Sequence, residues 1–280
     1  DLQASTGFTS YTENIGEMGN SGVEGMLNVY LIRNLEKRLV WSVTGKIAYN
    51  KNVILKLSDA LKEDTRKALA ENIELGTLLF EGDPTNAIYA VRSLGIDPST
   101  GKELYLTKDG EITETWKSSD RVFLGSYDPK YRGNISSLFQ WGGLSINLAF
   151  GYHFGGYQYN STLLSKVEIN KNMISAGNVD KRVYEDRWQK PGDVKFFKKI
   201  DDKSTKATSR FVMKESVFEL QNVSLQYTFD GPKFKEKTKM QALLIGLNMS
   251  EILYLSTIRL ERGTGYPYAR HAALSLSVTF

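Results

Sequence analysis

Along much of this chain apolar and polar residues alternate position by position, and the alternation recurs in separate segments. In residues 271–280, Leu274, Leu276, Val278 and Phe280 fall on one face and Ser275, Ser277 and Thr279 on the other. Residues 144–154 set Leu144, Ile146, Leu148, Phe150, Tyr152 and Phe154 against Ser145, Asn147, Ala149, Gly151 and His153. Residues 217–229 set Val223, Leu225, Tyr227 and Phe229 against Asn222, Ser224, Gln226 and Thr228. In residues 240–249, Leu243, Ile245, Leu247 and Met249 oppose Ala242, Leu244, Gly246 and Asn248, with Leu244 breaking the polarity. Residues 23–31 and 39–49 repeat the pattern, the latter with Trp41, Val43, Ile47 and Tyr49 on the apolar side, and a weaker strand covers 131–140. A side-chain period of two is that of a β-strand, so seven strands are predicted.

Alternation alone also fits a soluble sandwich with one wet face. Two features favour a membrane barrel. The polar face carries Ser, Thr, Asn, Gly and Ala, where a solvated strand would more often carry Lys and Glu, and Tyr, Phe and Trp gather at strand ends as interfacial girdles do. The connections also alternate in length. Residues 33–38, 141–143 and 230–239 are short turns, whereas 51–130, 155–216 and 250–270 are long, which is the asymmetry of an outer-membrane barrel. With Phe280 on the periplasmic side, every short turn falls in the periplasm and every long loop outside.

Seven strands do not close a barrel of even strand number, and an open edge in lipid leaves backbone groups unpaired. The remaining strands are therefore expected on other sequence, with residues 271–280 pairing residues 240–249 on one edge. The long connections carry their own elements. Residues 58–74 read as a short helix, with Ser58 as N-cap and Leu61, Ala68 and Leu75 near helical spacing. Residues 90–113 read as hairpins, punctuated at 97–101 and 108–110.

Composition changes this picture little. Mean hydropathy is −0.34 and no run of about 18 apolar residues occurs, so no transmembrane helix is predicted, a criterion to which β-barrels are blind. Cysteine is absent, which excludes disulfides and thiolate metal sites. Lys and Arg number 36 against 32 acidic residues, an excess that reads as spread along the chain and gives no nucleic-acid footprint. The chain opens without a basic, apolar leader, so a signal peptide was removed or never belonged to this piece.

Candidate chemistry is sparse. His153 and His271 are the two histidines, without HExxH or His-x-His spacing, so neither metal nor cofactor is expected, and no nucleophile elbow supports catalysis. Residues 151–156 (GYHFGG) lack the context of a phosphate loop and read as a strand exit. Trp188, flanked by Asp186, Arg187 and Asp193, suits stacking on a substrate or a partner, with Trp116, Tyr157 and Tyr159 as further candidates; the structural alternative is that these side chains anchor the long connections. Glu24, Asn28, Lys46, Asn147, His153, Asn222 and Gln226 are predicted to face the barrel lumen, since charge on the lipid face is costly.

The phrases GFTSYTENIGEMGNSGVEGMLNVYLIR (7–33), EGDPTNAIYAVRSLGIDPSTGKELYLTKDGEI (81–112) and GSYDPKYRGNISSLFQWGGLSINLAFGYHFGGYQYN (125–160) carry a family resemblance. DRWQKPGD (186–193), SVFELQNVSLQYTF (216–229) and YPYARHAALSLSVTF (266–280) continue it in order. The chain resembles the carboxy-terminal region of SusC/RagA-type TonB-dependent transporters. That resemblance implies an all-β fold, the last seven or so strands of a 22-stranded transmembrane antiparallel barrel with long extracellular loops. Residues 1–280 would then be one part of the barrel, with the plug domain, the TonB box and the first strands outside this chain. It further implies an outer-membrane location in a Gram-negative bacterium, a SusD-type surface lipoprotein as lid, and import of oligosaccharides or peptides energised through TonB. Plug-facing roles follow for the lumen residues, and lid or substrate contact for the loop aromatics. A soluble β-rich carbohydrate-binding module and a siderophore-type TonB-dependent receptor are the alternatives.

Overall fold

A computed structural model describes residues 16–72, 78–259 and 269–280. In chain order the elements are β1 (Gly16–Asn34), β2 (Leu39–Leu57), α1 (Asp59–Ala70), β3 (Ala87–Ile96), β4 (Glu103–Leu106), β5 (Ile112–Thr113) and β6 (Arg121–Ser126). They continue with β7 (Tyr131–Trp141), β8 (Leu144–Tyr159), α2 (Lys171–Ala176), β9 (Val212–Phe229), α3 (Pro232–Thr238), β10 (Ala242–Ser256) and β11 (His271–Thr279). A seven-stranded sheet runs β1-β2-β7-β8-β9-β10-β11, and a four-stranded sheet runs β5-β4-β3-β6. All seven predicted strands form the larger sheet, β11 pairs with β10 as expected, and β1 and β11 are its two edges.

Cross-strand register explains why one face is predominantly apolar, with Ser137 on it accepting from the Trp41 indole at 3.0 Å. Trp41 lies opposite Phe139, and Phe139 opposite Ile146. Ile135 lies opposite Phe150, and Leu247 lies between Leu225 and Leu274. Directly opposed residues share a face, so the period-two pattern of each strand adds to its neighbours'. Trp41, Ile47, Ile135, Leu225, Tyr227 and Ile245 on this face are exposed. A sandwich would cover such a face with a second sheet; lipid covers it in a barrel.

Aromatic rings mark both margins of that face. Tyr49, Tyr131 and Phe154 pack in a row with centroids 5.2 and 5.0 Å apart. At the opposite margin Tyr227 packs on Phe229 at 4.6 Å, level with Trp141. Ten residue steps along β7 separate Tyr131 from Trp141. That is about 33 Å along a strand, or about 25 Å across a bilayer at a tilt of about 40°, the height of the apolar band of such barrels.

The chain divides into two compact units, one of residues 1–21, 51–127 and 158–213, the other of 22–50, 128–157 and 214–280. The second holds the girdled part of the large sheet. In the first, the connections read as loops are structured. Ser58 Oγ caps α1 by accepting from the Leu61 amide, as its sequence position predicted. The helix ends at Ala70, and Leu75, expected on its apolar stripe, lies outside the described residues. Residues 1–15 and 260–268, which belong to the first and last family phrases and the third long connection, also lie outside them. The hairpins expected over 90–113 are β3-β4 and β4-β5, turned by Gly101 at φ 70° and Gly110 at φ 88°.

Three differences from the sequence reading have physical causes. Several strands run past their predicted ends: β1 covers 19 residues where nine alternate clearly. Beyond the apolar band both faces of a strand meet polar surroundings, so period two fades while pairing continues. Residues 230–239 form α3 in place of a simple turn, started by Pro232 and ended by Lys239 at φ 59°. Finally, the β9–β10 register shifts between Ser250 and Leu253, with Glu251 at φ 54°. Asn222 lies opposite Ser250 but Leu220 opposite Leu253, so Leu220 and Phe218 join the apolar face despite their even numbers. Phe218 accordingly stacks on Phe150 at 5.5 Å.

One glycine holds the sheet's centre together. Gly133 lies opposite Tyr152, whose ring crosses it so that the hydroxyl donates to the Lys46 carbonyl at 2.9 Å. A Cβ at 133 would overlap that carbonyl and sit 2.6 Å from the Tyr152 hydroxyl. Gly133→Val is expected to destabilise the assembled sheet by about 1–3 kcal/mol, read as a lowered midpoint for loss of heat-modifiable gel mobility; an unchanged midpoint would contradict this packing.

Candidate functional site

The polar face of the large sheet is continuous in the same way. Lys46 lies opposite Asn134, and Asn134 opposite Gly151. Arg132 lies opposite His153, Leu138 opposite Asn147, Gln226 opposite Gly246, and Ser250 between Asn222 and His271. Asn28 Oδ1 accepts from Thr44 Oγ1 at 3.3 Å, which sets Asn28 on this face. A shallow cleft of about 630 Å³ brings together Glu24, Lys46, Arg132, Asn134 and Gln221. The residues predicted to face the lumen thus lie on the polar face of the sheet, and two of them, Glu24 and Lys46, line one cleft.

Glycines make room for this polar lining. A Cβ at 151 would collide with the Gln221 amide and lie 3.0 Å from Glu219, whose carboxylate accepts from Gln221 at 2.7 Å. A Cβ at 246 would sit 2.5 Å from Ser275 Oγ. His153 Nε2 stands 3.5 Å from Glu215 Oε2. Arg132 was legible from the alternation of β7 and was overlooked. Gln221 was not legible, because strict alternation puts it on the other face and only the bulge returns it.

The aromatic candidates of the first unit are held by their own chain. Trp116 is buried and donates Nε1–H to the Ala207 carbonyl at 3.0 Å, within a cluster with Val91 and Tyr105. Arg187 is 2% exposed and donates to the carbonyls of Val183, Lys198 and Val167. Trp188 donates to the Pro98 carbonyl at 2.9 Å, and its ring lies where a Cβ on Gly101 would be, 2.5 Å away. Asp193 closes the adjoining turn by accepting from the amides of Gln189 and Lys190, which hold its carboxyl below the usual range. Tyr159 packs edge-on against Phe211. Tyr157 is half-buried on β8, and Asp186 is exposed, 3.9 Å from Lys195.

A cluster that sequence reasoning missed joins residues 58–127 to 158–213. Arg210 grips Glu103 through Nε and Nη2 at 3.0 and 2.8 Å, reaches Glu168 at 2.7 Å, and donates Nη1–H to the Phe196 carbonyl at 2.6 Å. Its guanidinium lies over the rings of Phe211 and Phe196. Burial by itself would lower the Arg210 pKa, but the hydrogen bonds to Glu103 and Glu168 outweigh it and hold the group above its ordinary value. All three side chains are at most 4% exposed. Thr-Ser-Arg-Phe gives no periodic signal, so only the fold reveals this clamp.

An open sheet with one lipid-compatible face, two aromatic margins and one polar face defines a segment of transmembrane β-barrel wall. Known proteins bear on which barrel. No family model matches the chain. It is 25% identical over 286 residues to TonB-dependent receptor P3 of Formosa agariphila, covering 94% of this chain and 26% of that protein. It is 22% identical over 269 residues to TonB-dependent receptor P39 of the same organism, covering 80% of this chain and 25% of that one. The chain thus spans about a quarter of the length of these relatives. The structure of the RagAB peptide transporter shares the fold at TM-score 0.71 and 22% identity, over 92% of this chain and 28% of that one. The RagAB peptide importer in its 'open-open' state matches at TM-score 0.73 and 20% identity, over 100% of this chain and 30% of that one. In sequence the chain is thus similar to TonB-dependent receptors, and its fold is that of part of the RagAB transporter.

Breaking the clamp leaves two buried carboxylates without a counter-ion. Arg210→Ala is expected to cost about 3–5 kcal/mol locally, seen as new protease cleavage within residues 158–213 while the sheet stays folded; an unchanged cleavage pattern would show that the clamp does not hold the unit.

Proposed function

We propose that this chain forms seven strands of a 22-stranded outer-membrane barrel, in a transporter that imports peptides using energy delivered through TonB. The observation that carries the reading is the open seven-stranded sheet with one predominantly apolar face and one polar face. In lipid the unpaired backbone of β1 and β11 must find partners, which the rest of the barrel supplies. Residues 1–280 are one barrel portion, whereas the plug and the TonB-interacting segment belong to other parts of the transporter. The short turns face the periplasm, and residues 51–127 and 158–213 lie outside the cell. A SusD-type lipoprotein rests on them as a lid. Asp186, Tyr157 and the exposed edge of Trp188 are the residues offered to the lid or to substrate.

Chemistry favours peptide over oligosaccharide as cargo. Sugar recognition uses exposed aromatic platforms beside polar groups. The polar face carries Glu24, Lys46, Arg132 and Glu219, charges of both signs. Such a lining suits the termini and amides of a peptide. Asn147, Asn222, Gln226 and His153 face the plug or the passing substrate, and no catalytic step is assigned.

Uptake tests this directly. Cells carrying the complete transporter should accumulate a labelled oligopeptide mixture when TonB is present and lose accumulation when it is deleted. Unlabelled peptides should compete and unlabelled oligosaccharides should not. Uptake indifferent to TonB, or competition by oligosaccharide alone, would contradict the proposal.

A further inference from the structure

The chain's positive excess, which reads as diffuse in sequence, gathers at one end of the sheet. The turns 33–38 and 230–239 hold Arg33, Lys37, Arg38, Lys233, Lys235, Lys237 and Lys239 against Glu36, Asp230 and Glu236. Their surplus of four equals the formal net charge of the whole chain, +4, so the remainder balances. Both turns lie at the Trp141 end, for Arg38 bonds Asp230 through two nitrogens at 3.1 and 3.4 Å. That contact occupies Asp230. Among the described residues none of the ammonium groups of Lys233, Lys235, Lys237 and Lys239 makes an ion pair, and all four side chains are exposed.

Position makes the surplus significant. Phe234 of α3 stacks on Phe229 at 5.9 Å, and Phe229 belongs to the aromatic margin of the apolar face. The helix is thereby fixed at the boundary where hydrocarbon gives way to headgroups, with lysines on long aliphatic stems around one half-buried ring. Leu35 and Trp141, 68% and 60% exposed, continue the apolar side of that rim. Lysines beside aromatic anchors reach from hydrocarbon to phosphate, and each adds about fivefold to binding at an anionic surface.

We propose that this rim, α3 with the turn 33–38, binds the headgroups of anionic glycerophospholipids in the leaflet facing the short turns. The proposal rests on the barrel reading. Phosphate esters with an added negative charge are the complementary chemistry, and Phe234 sets the depth at which they are met.

The complete transporter, reconstituted in vesicles of phosphatidylethanolamine with a minority of phosphatidylglycerol, provides the test. Native mass spectrometry of the extracted protein should find phosphatidylglycerol enriched over its bulk share by about fivefold or more. The substitutions Lys233→Gln, Lys235→Gln, Lys237→Gln and Lys239→Gln together should bring it close to the bulk ratio, and high salt should do the same. Replacing Lys166, Lys171, Lys190 and Lys199 with Gln should leave the enrichment intact. An inserted protein that keeps both lipids equally, or whose α3 variant keeps its preference, would overturn the rim alone. Failure to enter the vesicles at all would overturn the barrel reading beneath it.

Discussion

A strand in hydrocarbon has no water to satisfy its amides and carbonyls, so every one must pair with another strand. That constraint organises this chain. It requires the seven strands to lie side by side in an antiparallel sheet, and it leaves β1 and β11 as edges that demand partners. It also requires side chains to be sorted by face, because the face turned to lipid tolerates little polarity. The registers of β2, β7, β8, β9, β10 and β11 deliver that sorting pair by pair, from Trp41 opposite Phe139 to Leu247 opposite Leu274.

Where the sheet departs from regularity, it serves the same sorting. The shift at Ser250 to Leu253 moves Phe218 and Leu220 to the lipid side and turns Glu219 and Gln221 inward, so β9 stays amphipathic although its sequence changes phase. Gly133 and Gly151 do related work at single positions. One lets the Tyr152 ring cross to a third strand, and the other leaves space for Gln221 and Glu219. In the first unit, order comes from different interactions. Arg210 bridges two buried carboxylates and ties two long segments into one unit, while Trp188 closes over Gly101.

The seven strands of the large sheet and the polar face shared by Lys46, Asn147, His153 and Gln226 were legible because period two is a local property that each strand states for itself. Capping at Ser58 and the hairpin turns at Gly101 and Gly110 were legible for the same reason: one or two residues determine the backbone. The bulge was hidden, since Asn222 and Leu220 both sit on even positions and nothing nearby signals the phase change. The Arg210 clamp was hidden because its partners lie 107 and 42 positions away. Trp188 and Arg187 could be read from sequence either as recognition residues or as anchors of a long connection, and their hydrogen bonds to Pro98, Val183, Lys198 and Val167 show the anchoring. Polar function and polar packing use the same residue types, and only tertiary distance separates them.

The central claim is that one face of this sheet meets lipid and the other an aqueous lumen. The chain contains no cysteine, so single Ile245→Cys, Leu225→Cys, Gln226→Cys and Asn147→Cys variants of the complete transporter take a nitroxide label cleanly. Collision accessibility in vesicles should show labels at 245 and 225 relaxed by oxygen and shielded from a water-soluble nickel complex, with 226 and 147 shielded from oxygen. Nickel access at 245 and 225 equal to that at 226 and 147 would contradict the account.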